Sequence, residues 1–500
     1  MGGGLLQLVA HGAQDAYLSG NPQITFWKGL FKRHTNFAME PFRLNLTGMP
    51  AWGQKQSVTI NRHADLLYST YLDVVLPTYI AGSSSVKVDW NNEQGRLGYN
   101  LLDYVELEIG GQAIDRLYSE YLYLWDTLSS DYNTSYKLYQ MVGFGGDSRR
   151  TDGGPMAVSA SGVYGYNLPG VSSCVPSTGR ANATTPLFIP LPFSYTRNPG
   201  AALPLIALQY HEVKINILWN KWQLVAANFN GPQPPAPTSA ALYVDYIYLD
   251  VDERRRMAQE SHEYLIEQVQ FNEDKGIGAG SNRIDLTFNH PVKELIWVIQ
   301  PDRFVNCKIA DKINSSADYG VSRPVLQPSV AGGSVATTAT VGAGLRLTPF
   351  TYNYMNQSTT AQATQSFTQP IREQRLQING QDRMDRRSGD YFNKVQPFQH
   401  HTGTMKPQGF DATPHKSATT HIPLSQQAIY SYSFALKPEE NQPSGTCNFS
   451  RIDTATILME MSGDYVVDES TDNIWNVRVY AINYNILRVM SGMAGLAYAN

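Results

Sequence analysis

The sequence predicts an all-β chain of tandem antiparallel β-sandwiches with long loops and few short helices. Three observations predict it. Apolar and polar residues alternate at period two from one end of the chain to the other, as in strands with one buried face. The composition is rich in turn and aromatic residues, with 40 Gly, 28 Pro and 30 Tyr. A segment of the first half recurs in the second.

The elements follow in chain order. In an N-terminal arm, residues 1–26, Leu5, Leu8, Val9 and Gly12 share one face of a short helix behind the flexible Gly2, Gly3 and Gly4. Val58 and Ile60 then alternate with Ser57, Thr59 and Asn61. Val105, Leu107 and Ile109 alternate with Tyr104, Glu106 and Glu108. A helix is expected over 118–128, where Tyr121, Leu124 and Trp125 share a face. Further strands are expected where Val213, Ile215 and Ile217, then Ile284, Leu286 and Phe288, then Leu376 and Ile378, alternate with polar neighbours. The last has Tyr480, Ile482, Tyr484 and Ile486 alternating with Ala481, Asn483 and Asn485. A charged helical piece spans 250–259. Low-complexity stretches at 143–185, 228–240 and 308–368 read as exposed loops.

The repeat fixes the domain count. LEIGGQAIDRLYSEYL from Leu107 matches LQINGQDRMDRRSGDYF from Leu376. After one extra residue, Asp115-Arg116 matches Asp385-Arg386 and Glu120-Tyr121 matches Asp390-Tyr391. Gly-Gly and Asn-Gly both tolerate the positive φ angles of a two-residue hairpin. A whole β domain is therefore read as duplicated, with residues 27–250 as the first, 251–500 as the second and 251–261 as the connector. Many strands per domain favour two eight-stranded jelly rolls over the seven-stranded immunoglobulin type.

Composition narrows the function. Net charge is −4, with no basic surplus for neutralising phosphates, so direct nucleic-acid binding is not expected. Arg254–Arg256 and Arg383, Arg386 and Arg387 sit beside acids and read as structural ion pairs. The three Cys, Cys174, Cys307 and Cys447, are far apart and lack metal-ligand spacing, which favours a reducing compartment without a disulfide framework. No apolar run is long enough to span a membrane, and the N-terminus lacks the pattern of a secretory signal. There is no His-x-His pair, nucleophile elbow or phosphate loop. His400 and His401 are adjacent and read as surface or loop residues, so neither a metal nor another cofactor is expected. Six Asn-x-Ser/Thr sequons occur, at Asn45, Asn133, Asn182, Asn314, Asn356 and Asn448. Asn182, Asn314 and Asn356 lie in loop-like stretches and are the candidates to carry sugar.

Several stretches carry a resemblance. GGGLLQLVAHGAQDAYLSGNPQITFWKGLFKRHTNFAMEPF, VELEIGGQAIDRLY, LPLIALQYHEVKINI, HEYLIEQVQF, NGQDRMDRRSGDYFNKVQP, FALKPEENQPSGTCNFSRIDTATI and LRVMSGMAGLAYAN run from residue 2 to residue 500. Together they closely resemble the major capsid proteins of nucleocytoplasmic large DNA viruses, in the form found in algal viruses. The resemblance implies a tandem double jelly roll and a homotrimer. Six similar blocks then form a pseudo-hexagonal capsomer that tiles the icosahedral outer shell of the virion. It implies neighbouring capsomers, minor capsid and penton proteins as partners, assembly in the host cytoplasm, and no catalytic residues. Algal-virus members are glycosylated by virus-associated routes, so a sequon alone does not mark a used site.

On this reading 143–185 and 308–368 project outward, and Leu5, Leu8 and Val9 anchor the arm at the inner face, near minor capsid proteins and an internal membrane. The bland alternative packs the arm on its own subunit. Two other functions compete. A carbohydrate-binding sandwich or fibre-like surface protein calls for Trp platforms or a calcium cluster, neither of which is evident. A metal-dependent jelly-roll enzyme calls for ligands that the sequence lacks.

Overall fold

The structure is a computed structural model. It describes residues 3–23, 31–76, 80–81, 86–87, 89–90, 96–143, 157–158, 164–165, 186–227, 234–278, 280–301, 352, 354, 356–357, 367–368, 370–403, 428–461 and 475–498.

The principal strands of the first half are β1 (Phe37–Asn45), β2 (Lys55–Ile60), β3 (Leu66–Val75), β4 (Leu102–Ile109), β5 (Gln112–Tyr118), β6 (Pro186–Pro190), β7 (Val213–Trp219) and β8 (Ser239–Leu249). They form two antiparallel sheets, ordered β1-β8-β3-β6 and β2-β7-β4-β5. The partners β1·β8, β2·β7, β3·β6 and β4·β5 are those of a long hairpin rolled up from both ends, which is the jelly roll.

The second half repeats this with β9 (His262–Ile277), β10 (Ser281–Leu286), β11 (Pro291–Pro301), β12 (Ile371–Ile378), β13 (Gln381–Asp382), β14 (Tyr430–Ser433), β15 (Ala455–Met461) and β16 (Trp475–Met490). Its sheets run β9-β16-β11-β14 and β10-β15-β12-β13. Strand for strand, the two rolls have one topology. The double jelly roll expected from the duplication is therefore present, with eight principal strands in each half among the described residues.

The strands form where period-two alternation predicts them. Val58, Ile60, Val105, Leu107, Ile109, Val213, Ile215 and Ile217 are all buried, facing the core of the first roll. Ile284, Leu286, Phe288, Leu376 and Ile457 are buried likewise in the second. The repeat is the β4–β5 hairpin and its counterpart β12–β13. Their turns place Gly110 and Gly111 at φ 58° and 85°, and Asn379 and Gly380 at φ 49° and 74°. Positive φ at both central residues matches the twist of the flanking strands, which explains the recurrence of these residue pairs.

Few helices break the pattern. The N-terminal helix α1 spans Gly3–Val9. After β5 come α2 (Ser119–Ser129) and α3 (Tyr132–Val142). The connector α4 (Val251–Gln259) buries no residue. Asp250 caps it through Oδ1, which accepts from the Val251 amide at 2.8 Å. Within the basic cluster on α4, Arg254 pairs with Asp65, 3.0 Å away, rather than with the acids adjacent to it in sequence.

Two expectations change. Helix α2 buries Tyr121, Leu122, Tyr123, Leu124, Asp126 and Leu128, not one face alone. Strand β16 buries Ala481, Asn483 and Asn485 together with Tyr480, Ile482 and Tyr484. The cause is common: both elements lie between the rolls. Val477 and Val479 pair with Ile299 and Trp297 of β11, and Trp297 reaches Gln374 of the opposite sheet. Arg478, Tyr480 and Tyr484 point the other way, toward the first roll. Buried apolar residues of both rolls consequently form one continuous cluster.

Candidate functional site

The joint between the rolls is built from α2, β5 and the Ser194–Arg197 turn on one side, and from β9, β11 and β16 on the other. Its centre is aromatic. Tyr118 lies 4.8 Å from Phe271, and Tyr480 lies 5.2 Å from Phe271 and 5.9 Å from Tyr121, between ring centroids. Such rings bury large apolar areas and lock mutual orientation.

Two ion clusters flank the aromatics. In one, Glu267 of β9 takes Arg197 on Oε2 and Lys293 of β11 on Oε1, each at 2.5 Å. Arg197 also donates to the Tyr121 hydroxyl at 3.2 Å and stacks over Trp125 at 4.3 Å. Burial lowers the Lys293 pKa, opposed by the Glu267 charge. In the other, Glu120 of α2 accepts Arg478 at 2.7 Å, the Tyr480 hydroxyl at 2.6 Å and the Tyr354 hydroxyl at 3.0 Å. Buried pairs of this kind add little net stability over apolar replacements, but losing one partner is costly.

The edge of β9 is closed by side chains of the first roll. Ser194 Oγ accepts the Glu267 amide and Asp115 Oδ1 accepts the Val269 amide, both at 3.0 Å. An open sheet edge is thereby covered without a further strand. Burial pushes the Asp115 carboxyl up to about 6.

A third contact divides the reading of the adjacent histidines as surface or loop residues: His401 is a loop residue with a buried side chain. His401 is not a surface residue. Its side chain is fully buried between Glu294 at 2.5 Å and Glu439 at 3.0 Å. Next to it, Thr402 Oγ1 donates to the Ser129 carbonyl at 3.0 Å and the Gly403 amide to the Leu128 carbonyl at 2.7 Å. A Cβ on Gly403 would lie 2.2 Å from the Leu128 oxygen. The segment thus clasps the second roll to the C-terminal end of α2.

The predicted site residues fall elsewhere. Leu5, Leu8 and Val9 lie on α1 and are 57 %, 76 % and 75 % exposed, and every described residue from 3 to 23 is exposed. The alternative in which the arm packs on its own subunit is therefore not what the described residues adopt. Asn182 and Asn314 lie outside the described residues, as do most of 143–185 and 308–368. Asn356 opens a two-residue strand, Asn356–Gln357, paired with Phe367–Thr368. Sequence reasoning missed Arg197, Glu267, Lys293, Glu120, Arg478 and His401. A signal existed for two of them: Lys293, beside Glu294, and Arg478 put charge into mostly apolar strands, PVKELIWVI and WNVRVYAI.

The joint packs two rolls of one topology around one continuous apolar cluster, which is the geometry of a building block. Comparison with known proteins agrees. The family described as large eukaryotic DNA virus major capsid protein matches residues 253–495, and the major capsid protein N-terminus family matches 25–250. The chain belongs to the major capsid proteins of large eukaryotic DNA viruses. It is 41 % identical to the major capsid protein of Phaeocystis pouchetii virus over 561 aligned positions, covering all of both chains. It is 36 % identical to that of Paramecium bursaria Chlorella virus 1, again over the whole of both chains. Among solved structures, PBCV-1 VP54, fitted into a reconstruction of the virophage Sputnik, is 33 % identical with a TM-score of 0.65. That match covers 95 % of this chain and 100 % of that one. The Faustovirus major capsid protein, at 13 % identity, 96 % and 94 % coverage and a TM-score of 0.60, shares the fold. This capsid protein is thus a structural component of a virion.

Proposed function

We propose that this capsid protein assembles as a homotrimer whose six rolls form a pseudo-hexagonal capsomer tiling the outer shell of a large icosahedral double-stranded DNA virus. The observation that carries the reading is the pair of topologically identical rolls locked into one body. Three such chains related by a threefold axis supply six similar blocks, and head-to-tail contacts close into a ring. Close-packed sandwiches hold a fixed shape, as tiling demands. The role is mechanical, with no catalytic step and no cofactor. Electron microscopy of the purified protein tests it: hexagonal particle outlines are expected, and round or elongated monomers would refute it.

The exposed arm supports a second level of contact. Leu5, Leu8 and Val9 present apolar surface that their own chain leaves bare. The arm then lies at the inner capsid face, toward minor capsid proteins and near an internal membrane, with penton proteins completing the vertices and assembly in the host cytoplasm. Deleting residues 2–20 is expected to leave trimers intact and to spoil shell assembly; loss of trimers would place the arm in the capsomer core. Asn182, Asn314 and Asn356 are proposed to carry sugar on the outer face, and glycopeptide mass spectrometry of virions showing all of them bare would refute this.

A further inference from the structure

The segment that precedes β1 is charged unlike the rest of the chain. Residues 1–36 hold Lys28, Lys32 and Arg33 against a single acid, Asp15, a net charge of +2. The whole chain stands at −4, so the residues after this arm stand at −6. Asp15 is turned in on the arm itself: its Oδ2 accepts the Gly12 amide at 2.8 Å and lies 3.9 Å from His11. Lys32, Arg33 and His34 are exposed.

The same arm bares apolar surface. Leu5, Leu6, Leu8 and Val9 on α1 are all exposed, and Tyr17, Leu18 and Phe31 are 92 %, 87 % and 77 % exposed. The four on α1 span about 160° of its circumference at 3.6 residues per turn, with Gln7 opposite and no charge on the helix. The bare side chains are strung along the arm and separated by Gly12, Gly20 and Pro22. A protein groove takes apolar groups at fixed spacings, whereas a bilayer interface takes them at any. Apolar and aromatic side chains beside Lys and Arg suit a segment lying in the headgroup layer of an anionic membrane.

Sheet register gives the arm its direction. It enters β1 at Phe37, opposite Leu249 at the end of β8. The stretch 143–185 returns to the sheet at Pro186, opposite Val75, which pairs with Ser239 at the start of β8. The two therefore join the first roll at opposite ends. We propose that the arm binds the surface of an anionic lipid bilayer directly, with Leu5, Leu8, Val9, Tyr17 and Phe31 among the headgroups and Lys32 and Arg33 on the lipid anions. This rests on the proposed inner-face position of the arm and names what it touches there. No helix among the described residues is long and apolar enough to cross a membrane, so the contact is with one surface. The bilayer attracts the basic arm and repels the acidic body, so the body stands off the membrane on its arm.

The test uses the full chain with vesicles of phosphatidylcholine alone or of equimolar phosphatidylcholine and phosphatidylserine. The wild type is expected to float with the anionic vesicles in a density gradient. Salt at about 1 M, where the Debye length falls to about 3 Å, is expected to release it. Lys32→Glu/Arg33→Glu is expected to bind the anionic vesicles at least about tenfold more weakly. Leu8→Ser/Val9→Ser is expected to lose binding at low salt as well. The control Arg255→Glu/Arg256→Glu, on the exposed α4 of the body, is expected to bind as the wild type does. All six positions are exposed, so the variants are expected to keep their far-ultraviolet circular dichroism. Equal flotation with the neutral vesicles, or a control as impaired as the arm variants, would overturn the proposal. A wild type that floats with neither vesicle would overturn it too. If deletion of residues 2–20 still spoils shells of that wild type, the inner-face position stands and the partner there is a protein. If the deletion dissolves trimers, the inner-face position falls with the proposal.

Discussion

His401 shows how one side chain ties the stability of the chain to solution conditions. Burial alone disfavours its charged form, but Glu294 and Glu439 on either side outweigh that and raise its pKa to about 9 from 6.5. Glu294 Oε2 has no hydrogen-bond partner among the described residues, so the imidazolium is the main compensation for that buried carboxylate. A basic group with a raised folded-state pKa contributes stability that is fully present below its unfolded value and is lost as pH rises through the folded one. The clasp is therefore at full strength below about pH 6.5 and weakens as pH rises through about 9. The thermal midpoint of the wild type is expected to fall across that window more than that of His401→Gln. Parallel profiles for the two proteins would show that another group carries the dependence.

The two hairpins of the repeat solve one turn by different means. Gly110 is needed twice: its φ is positive, and a Cβ there would lie 2.4 Å from the His211 ring. At the equivalent turn Asn379 is tolerated at φ 49°, and its Oδ1 accepts the amides of Asp453 and Thr454 at 3.0 and 3.1 Å. Gly380 has a positive φ but open space around its missing Cβ. Gly380→Ala should thus lose about 1–2 kcal/mol, from backbone conformation alone. Gly110→Ala should lose more, with overpacking adding about 1–3 kcal/mol. Chemical denaturation of both variants checks the order, and equal losses would contradict it. This pair also shows what was legible in the sequence. The hairpins, the duplication and most strands follow from local patterns, because alternation and turn chemistry act over a few residues. The burial of α2, of both faces of β16 and of His401 was not legible. The first two depend on the other roll, hundreds of residues away in sequence, and His401 depends on Glu294 and Glu439, distant segments of its own roll; a period-two pattern reports one buried face and is silent about a second.

At the scale of the whole molecule, a charged residue inside an apolar strand was the one trace of the joint, at Lys293 and Arg478. Their partners Glu267 and Glu120 come from other segments, so no spacing rule links them. The exposed apolar side chains were equally hidden, since Phe37, Met39 and Phe398 read as ordinary apolar residues until the fold leaves them exposed. On the proposed homotrimer, a single chain is incomplete as a unit. The most direct test of that claim is the mass of the native protein by light scattering on a sizing column, followed on dilution. A peak at three times the 55.6 kDa chain mass that persists on dilution is the predicted result. A stable peak at 55.6 kDa would contradict the account.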